Sequence, residues 1–445
     1  MTYDEALAFW YGRIDYERRQ PRPGDLKLDR MRALLRRLGD PHRRLRCVHV
    51  AGTKGKGSTS ALIAAILRAG RLRTGLFTSP HLSDVSERVQ VDGVPIGRHE
   101  IATRMTEVAS AVRELDAEGD PARSPTFFEV ITALGFLHFD CRRVDVAVLE
   151  VGLGGRFDST NVCEPLVTVI TNVSYDHTAI LGDTLEEIAY QKSGVIKRGV
   201  PVVTTAADPT VCTIIERVAA KVDAPVIAVG RDFRWSRERQ QAFQLSPVRI
   251  STPDRDGLPM PLALFGDHQG ANAAAAVIAV ERLRRGGLAV PETAIGDGLR
   301  NVQWPARMEL LARRPVVVLD SAHNVASARA LVETLQTSFP VAGGRHLIFA
   351  ASADKQIPEM LTLLAPAIHY FHLTRYRSNP RSADPASVAN FLRGLGKTEI
   401  AIHSSPENAW QTAWNLAGPE EGIVVAGSVF LAGELRPIMV RHCQS

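Results

Sequence analysis

The sequence predicts an α/β protein. An N-terminal, mostly parallel sheet of the phosphate-binding-loop type is flanked by helices, and a smaller C-terminal α/β domain of Rossmann-like build follows. Three observations predict it. Residues 50–59 read Val-Ala-Gly-Thr-Lys-Gly-Lys-Gly-Ser-Thr, directly after an apolar strand-like run and directly before a helix-like one. Short apolar or β-branched runs then alternate with helical patterns through residue 204. A second alternation of the same kind begins near residue 315. At 445 residues the chain is too long for one ordinary core. Two domains are expected, 1–299 and 300–445, with the boundary in the stretch 296–302.

Met31, Leu34, Leu35 and Leu38 recur at helical spacing, which predicts an amphipathic helix ending at Gly39. Strands are predicted at 46–51, 74–77, 144–150, 166–171 and 200–204, each run ending at a loop with polar residues. Helical patterns near 60–69, 99–118, 127–140 and 185–192 lie between them. That alternation makes a parallel sheet. The interval 232–265 alternates closer to period 2 and predicts a small antiparallel excursion, followed by an Ala-rich helix at 270–285. The second pattern places strands at 315–320, 346–350, 369–373 and 423–427, with helices between.

Composition narrows the function classes. Hydrophobic content of 45% with 23% charged residues describes a globular chain. A net charge of +5 suits small anionic substrates but forms no basic stripe, and 6% aromatics disfavour base stacking. No nucleic-acid partner is expected. The 5 cysteines have no zinc-like spacing and are expected to be reduced thiols of a cytoplasmic protein. No signal pattern opens the chain, and no apolar run reaches the ~20 residues that span a bilayer, so no membrane role is expected.

In open α/β sheets ligands bind beyond the carboxyl ends of the strands. Gly52, Gly55 and Gly57 let the 52–59 loop turn tightly and aim amides at an anion. Lys56 can reach terminal phosphates, and Ser58 or Thr59 can offer a hydroxyl to Mg²⁺. Gly57 is unusual, because the common form of this loop has nothing between the lysine and the hydroxyl residue. After the next strand, Ser79 in Thr78-Ser79-Pro80-His81-Leu82 has its hydroxyl near a Mg²⁺ position, although serine before proline is ordinarily a turn. Glu150 ends an apolar strand and precedes a glycine-rich turn, 151–156; a carboxylate there can hold Mg²⁺ or cap the next element. Asp176 and His177 follow another strand and can ligate or orient a second metal. Lys192 on its own is an ordinary helix-end lysine. Arg307 offers a fixed fork to phosphate or carboxylate. Asp320 and His323 follow a second-domain strand, where they can face a nucleotide across a cleft.

Together these segments resemble the folylpolyglutamate synthase/dihydrofolate synthase family of the Mur-ligase superfamily. The matching motifs are Gly52-Thr53-Lys54-Gly55-Lys56-Gly57-Ser58, Ser79-Pro80-His81-Leu82, 150–156, Asp176-His177, Lys192, Phe265-Gly-x-His-Gln-x-x-Asn272, Trp304-Pro-x-Arg307 and Asp320-x-Ala-His323-Asn324. They run in the family's order over about 49–433, and the odd Gly-Lys-Gly-Ser loop is the family's own form.

The resemblance implies an ATP-dependent ligase that joins L-glutamate to dihydropteroate, to folates, or to both, through an acyl phosphate. Loop residues Gly52 to Thr59, with Lys56, would hold the ATP phosphates. Ser79 and Glu150 would bind one Mg²⁺ and His177 a second. Lys192 would be carbamylated and bind metal. Asn272, Arg307, Asp320 and His323 would grip ATP from the far side, and Asp25–Asp29 with the 78–82 loop would border a pterin pocket. A monomer is expected. Lys54 departs from the family's usual asparagine and adds a positive charge beside the phosphates; Gln191 and Ser193 depart from the usual neighbours of Lys192, and 351–355 is a reduced form of a family segment. The rival readings are another amino-acid ligase of the superfamily and a P-loop NTPase that ligates nothing.

Overall fold

A computed structural model describes residues 1–16, 25–120, 124–238, 241–253 and 256–444. The strands, in chain order, are β1 (Cys47–Ala51), β2 (Thr74–Phe77), β3 (Val89–Val91), β4 (Val94–Pro95), β5 (Val146–Glu150), β6 (Val167–Ile170), β7 (Val202–Thr204) and β8 (Val226–Ala228). They form one sheet in the order β4-β3-β2-β5-β1-β6-β7-β8. From β2 to β8 the pairing is parallel, and β3 and β4 extend the edge antiparallel.

The side chains explain why helices cover both faces. Successive strand residues point to opposite sides. In β5, Val146 and Val148 join one core with the helices Lys56–Ala69, His268–Arg285 and Thr293–Asn301. Ala147 and Leu149 join the other, with the helices Tyr3–Tyr11, Asp29–Arg37, Arg98–Asp116 and Phe127–Cys141. Every residue of β1 and β5 is buried, as a central parallel strand requires.

The predicted antiparallel excursion is present as β9 (Arg234–Arg237), β10 (Val248–Ser251) and β11 (Pro259–Met260). Positions 239–240 and 254–255 of that interval lie outside the described residues. The second sheet comprises β12 (Glu309–Arg313), β13 (Val316–Leu319), β14 (Arg345–Phe349), β15 (Tyr370–Leu373), β16 (Ile400–Ile402) and β17 (Gly422–Ala426), in the order β12-β13-β17-β14-β15-β16. Only β12 is antiparallel. Helices again cover both faces.

Several elements have weak patterns and go unpredicted. β12 is half-buried and β16 has three residues, so neither presents an apolar run. The β3–β4 hairpin did carry a signal: Asp92-Gly93 between valines, both with positive φ, 54° and 79°. The expected division at 299/300 falls in the last turn of the helix Thr293–Asn301, and the second sheet starts at Glu309. The connection 302–308 carries Trp304 and Arg307 from one sheet to the other. Among the described residues no helix is long and apolar enough to cross a membrane.

Candidate active site

The nucleotide loop leaves the end of β1 and enters the helix Lys56–Ala69. Gly55 caps that helix in the left-handed region, φ 82°, and no side chain caps it. Its first amides therefore face outward without a side-chain partner, which suits an anion. The loop is clamped to the exit of β6. The Thr53 amide donates to the Asn172 carbonyl at 2.7 Å, the Lys54 amide to Asn172 Oδ1 at 2.8 Å, and Thr171 Oγ1 to the Lys54 carbonyl at 2.7 Å.

Gly57 has a structural reason. A Cβ there would lie 2.9 Å from the Trp304 ring and 3.5 Å from both Glu150 carboxylate oxygens. A side chain would displace one or the other. A Cβ at Gly55 would likewise lie 2.2 Å from Asn272 Oδ1, and Asn272 Nδ2 in turn donates to Gln269 Oε1 at 2.9 Å. Ser58 and Thr59 are both buried, and Thr59 Oγ1 has no hydrogen-bond partner.

Glu150 ends β5 and is 5% exposed. It accepts from the Ser79 amide at 3.1 Å. Burial pushes its carboxyl above the usual range, while Lys56, that amide and Arg307 oppose the shift. The glycine-rich turn after it is held by Asp158, which accepts from the Leu153 amide at 2.9 Å and the Thr160 amide at 3.0 Å.

Lys192 ends the helix Leu185–Lys192 and is buried. Its Nζ donates to the Gly52 carbonyl at 2.9 Å. Burial first, then the charge of Lys56, lowers its pKa to about 7. Lys56 Nζ lies back over the loop, 3.4 Å from the Thr53 carbonyl. His177 is lowered to about 4: desolvation, Lys355 and Lys56 outweigh Asp176.

Lys54 brings its charge to the loop already paired with a carboxylate. Its Nζ donates to Asp176 Oδ2 at 2.6 Å. Burial would raise the Asp176 carboxyl, yet Lys54 and His177 hold it well below the usual range. Asp176 Oδ1 also accepts the His177 amide at 3.1 Å.

From the C-terminal side come Arg307 in the connection and Asp320, His323 and Lys355 in the loops that follow β13 and β14. Asp320 accepts from the Met308 amide at 2.8 Å and the Ala322 amide at 2.7 Å. His323 Nδ1 lies 2.9 Å from the Ser321 carbonyl, and burial, then Lys54, lowers it to about 3. Arg307 acts electrostatically on Glu150, Asp320, His268 and His323, and Lys355 on Asp176 and His177. The two sheets therefore face each other over the loop. Ser83 Oγ donating to the Gly433 carbonyl at 3.0 Å joins them at the rim.

The four expected metal residues fall into two groups: Ser79 with Glu150, and His177 with Lys192 across the loop. Among the described residues no three His, Cys, Asp or Glu side chains form a ready-made metal cluster. Asp25–Asp29 and the 78–82 loop meet the same helix start. Arg30 pairs with Glu129 at 3.1 Å and donates to the Asp25 carbonyl at 2.7 Å. Arg88 donates to His81 Nδ1 at 2.9 Å and lies over Phe127. Asn172, Asp158 and Gln269 were missed as structural partners of the loop and its turn; only their places after strands or before a helix hinted at it.

Comparison with known proteins agrees with this layout. The model of the Mur ligase middle domain matches residues 50–280, and that of the Mur ligase glutamate ligase domain matches 306–429. A dihydrofolate synthase/folylpolyglutamate synthase of Bacillus subtilis is 35% identical over 98% of both chains. A Mycobacterium tuberculosis folylpolyglutamate synthase solved with ADP and AMPPCP superposes with a TM-score of 0.84 at 31% identity, covering 93% of this chain and 95% of that one. Escherichia coli FolC in complex with DHPP and ADP gives 0.85 at 28%, covering 100% and 99%. The chain belongs to the folylpolyglutamate synthase/dihydrofolate synthase family of the Mur ligases.

Proposed function

We propose that this chain is an ATP-dependent ligase adding L-glutamate to dihydropteroate, to the γ-carboxylate of folates, or to both. A carboxylate is a poor acylating agent, so one of its oxygens first takes the γ-phosphoryl group and ADP leaves. The neutral amine of glutamate then attacks the acyl carbon. An amide forms, the amine loses a proton and phosphate departs. No nucleophilic side chain is needed, and positioning with charge stabilisation dominates. The observation that carries the reading is the Gly57 junction. There the loop, the buried Glu150 and Trp304 of the connection to the second sheet converge. The nucleotides held by the M. tuberculosis and E. coli relatives support ATP as the phosphoryl donor.

Lys56 and the helix amides would hold the phosphates. Arg307, Asn272 and His323 would close on the nucleotide from the far side. Asp320 would act by fixing the turn that carries Arg307. Mg²⁺, when bound, would neutralise charge on the phosphates. The residues present fit it: Glu150 is a buried carboxylate held by a single backbone amide, and Ser79 adjoins it. His177 would serve a second ion together with Lys192 as its carbamate, formed when the neutral amine adds CO₂ and releases a proton. Lys192 is suited to that, because its lowered pKa supplies neutral amine near neutral pH and Lys54 and Lys56 would balance the new anion. A monomer suffices, since the loop and both walls come from one chain.

The test is purified enzyme with ATP, Mg²⁺ and glutamate, offered dihydropteroate and tetrahydrofolate separately. ADP release is expected to need both glutamate and one of the two acceptors. ATP hydrolysis indifferent to glutamate would make the chain an NTPase instead.

A further inference from the structure

Far from the loop, a cavity of about 550 Å³ opens at the amino ends of β2 and β5, lined by Arg68, Arg71, Arg73, Arg143, Asp92 and Asp145. β5 spans five residues, so this cavity lies roughly 15 Å from Glu150 along the strand. Its charge is unbalanced. The Asp145 carboxylate accepts the Arg73 amide at 2.7 Å and Asp92 accepts the Thr74 amide at 2.8 Å, so both carboxylates cap strand starts. Among the described residues no ion pair joins any of the four arginines to a carboxylate. Arg73 donates to the Arg142 carbonyl at 3.1 Å, and the Arg68 guanidinium lies along Gly93 of the β3–β4 turn. Four arginines thus line one concavity with two carboxylates, each of which already accepts a backbone amide. Such forks match the oxygens of phosphate and carboxylate groups, and an anion with several charges would relieve their mutual repulsion.

We propose that this cavity binds a small multivalent oxyanion, at a site separate from the nucleotide loop. Isothermal titration at low salt, with ADP saturating the nucleotide loop, tests it with two probes. Inorganic triphosphate represents phosphate sources and citrate represents polycarboxylates. Arg71 and Arg143 have positive φ, 63° and 49°, so Arg71→Asn and Arg143→Asn together remove charge with a residue that tolerates those turns.

Wild type is expected to bind one probe per chain, and the double variant to bind it at least about ten-fold more weakly with ADP affinity kept. The probe that binds identifies the source. Equal binding by wild type and variant, or no binding of either probe, overturns the proposal. Should the double variant lose ADP affinity as well, Arg68→Gln on the exposed helix end carries the same test. Its unchanged affinity for the probe would be equally fatal.

Discussion

Glu150 and Asp320 look alike in the sequence, each an acid at or just past the end of an apolar parallel strand. Folding makes them different. Asp320 has two backbone amides, at 2.8 and 2.7 Å, and both oxygens are engaged. Glu150 has the Ser79 amide at 3.1 Å and looks across Gly57 toward the loop. Both are buried and both are raised by burial, with Arg307 opposing. A buried carboxylate with a backbone amide on each oxygen holds a turn. One with an oxygen that accepts no hydrogen bond, beside a phosphate-binding loop, is available to a ligand. Burial and strand-end position alone therefore do not separate the roles; the hydrogen-bond count does.

The sharpest way to break this contrast is Glu150→Gln, which removes the charge at nearly constant shape. Ligation should fall by about 100-fold or more, while thermal stability stays level or rises, because a desolvated charge is gone. A variant with ordinary turnover would place Glu150 with Asp320 as a cap. Lys192→Ala comes next. The same order of loss is expected, with partial recovery by added short-chain carboxylates, and wild-type activity should drop in CO₂-free buffer and return with bicarbonate. Indifference of the wild-type enzyme to CO₂ would remove the carbamate and leave the ligase assignment on the other motifs.

Asp320→Asn should show the opposite profile to Glu150→Gln. One carboxylate oxygen is replaced by an NH₂ donor facing a backbone N–H, so stability should fall by about 1–3 kcal/mol, read by denaturant or thermal unfolding, with activity near normal where the protein is folded. The smallest effect is expected from Lys54→Asn. Its partner Asp176 is 18% exposed and Lys54 itself 25%, so the variant leaves a part-buried carboxylate without its ion partner. Because Lys54 keeps a positive charge beside the loop, a two- to five-fold change in the KM for ATP is expected, about 0.4–1 kcal/mol, with kcat little altered. A large fall in kcat would mean that Lys54 touches the reacting groups.

The alternation of strands and helices, the loop and the acids that follow strands were legible because local periodicity and turn chemistry encode them. The reason for Gly57 was not, since Trp304 and Glu150 reach it from distant parts of the chain. Nor was the Lys54–Asp176 pair, whose members are 122 residues apart. Nothing local to Lys54 announces its partner. β12 and β16 escaped for a different reason. Short, half-buried edge strands need little apolar sequence, and their neighbours in the sheet define them.

The most direct test is a Mg²⁺ titration of glutamate-dependent ligation in wild type, Glu150→Gln and Asp320→Asn, at a temperature where all three are folded. If Glu150 faces the ligand and Asp320 holds a turn, the half-saturating Mg²⁺ rises by about ten-fold or more in Glu150→Gln and stays at the wild-type value in Asp320→Asn. Superimposable titrations for wild type and Glu150→Gln would contradict the account.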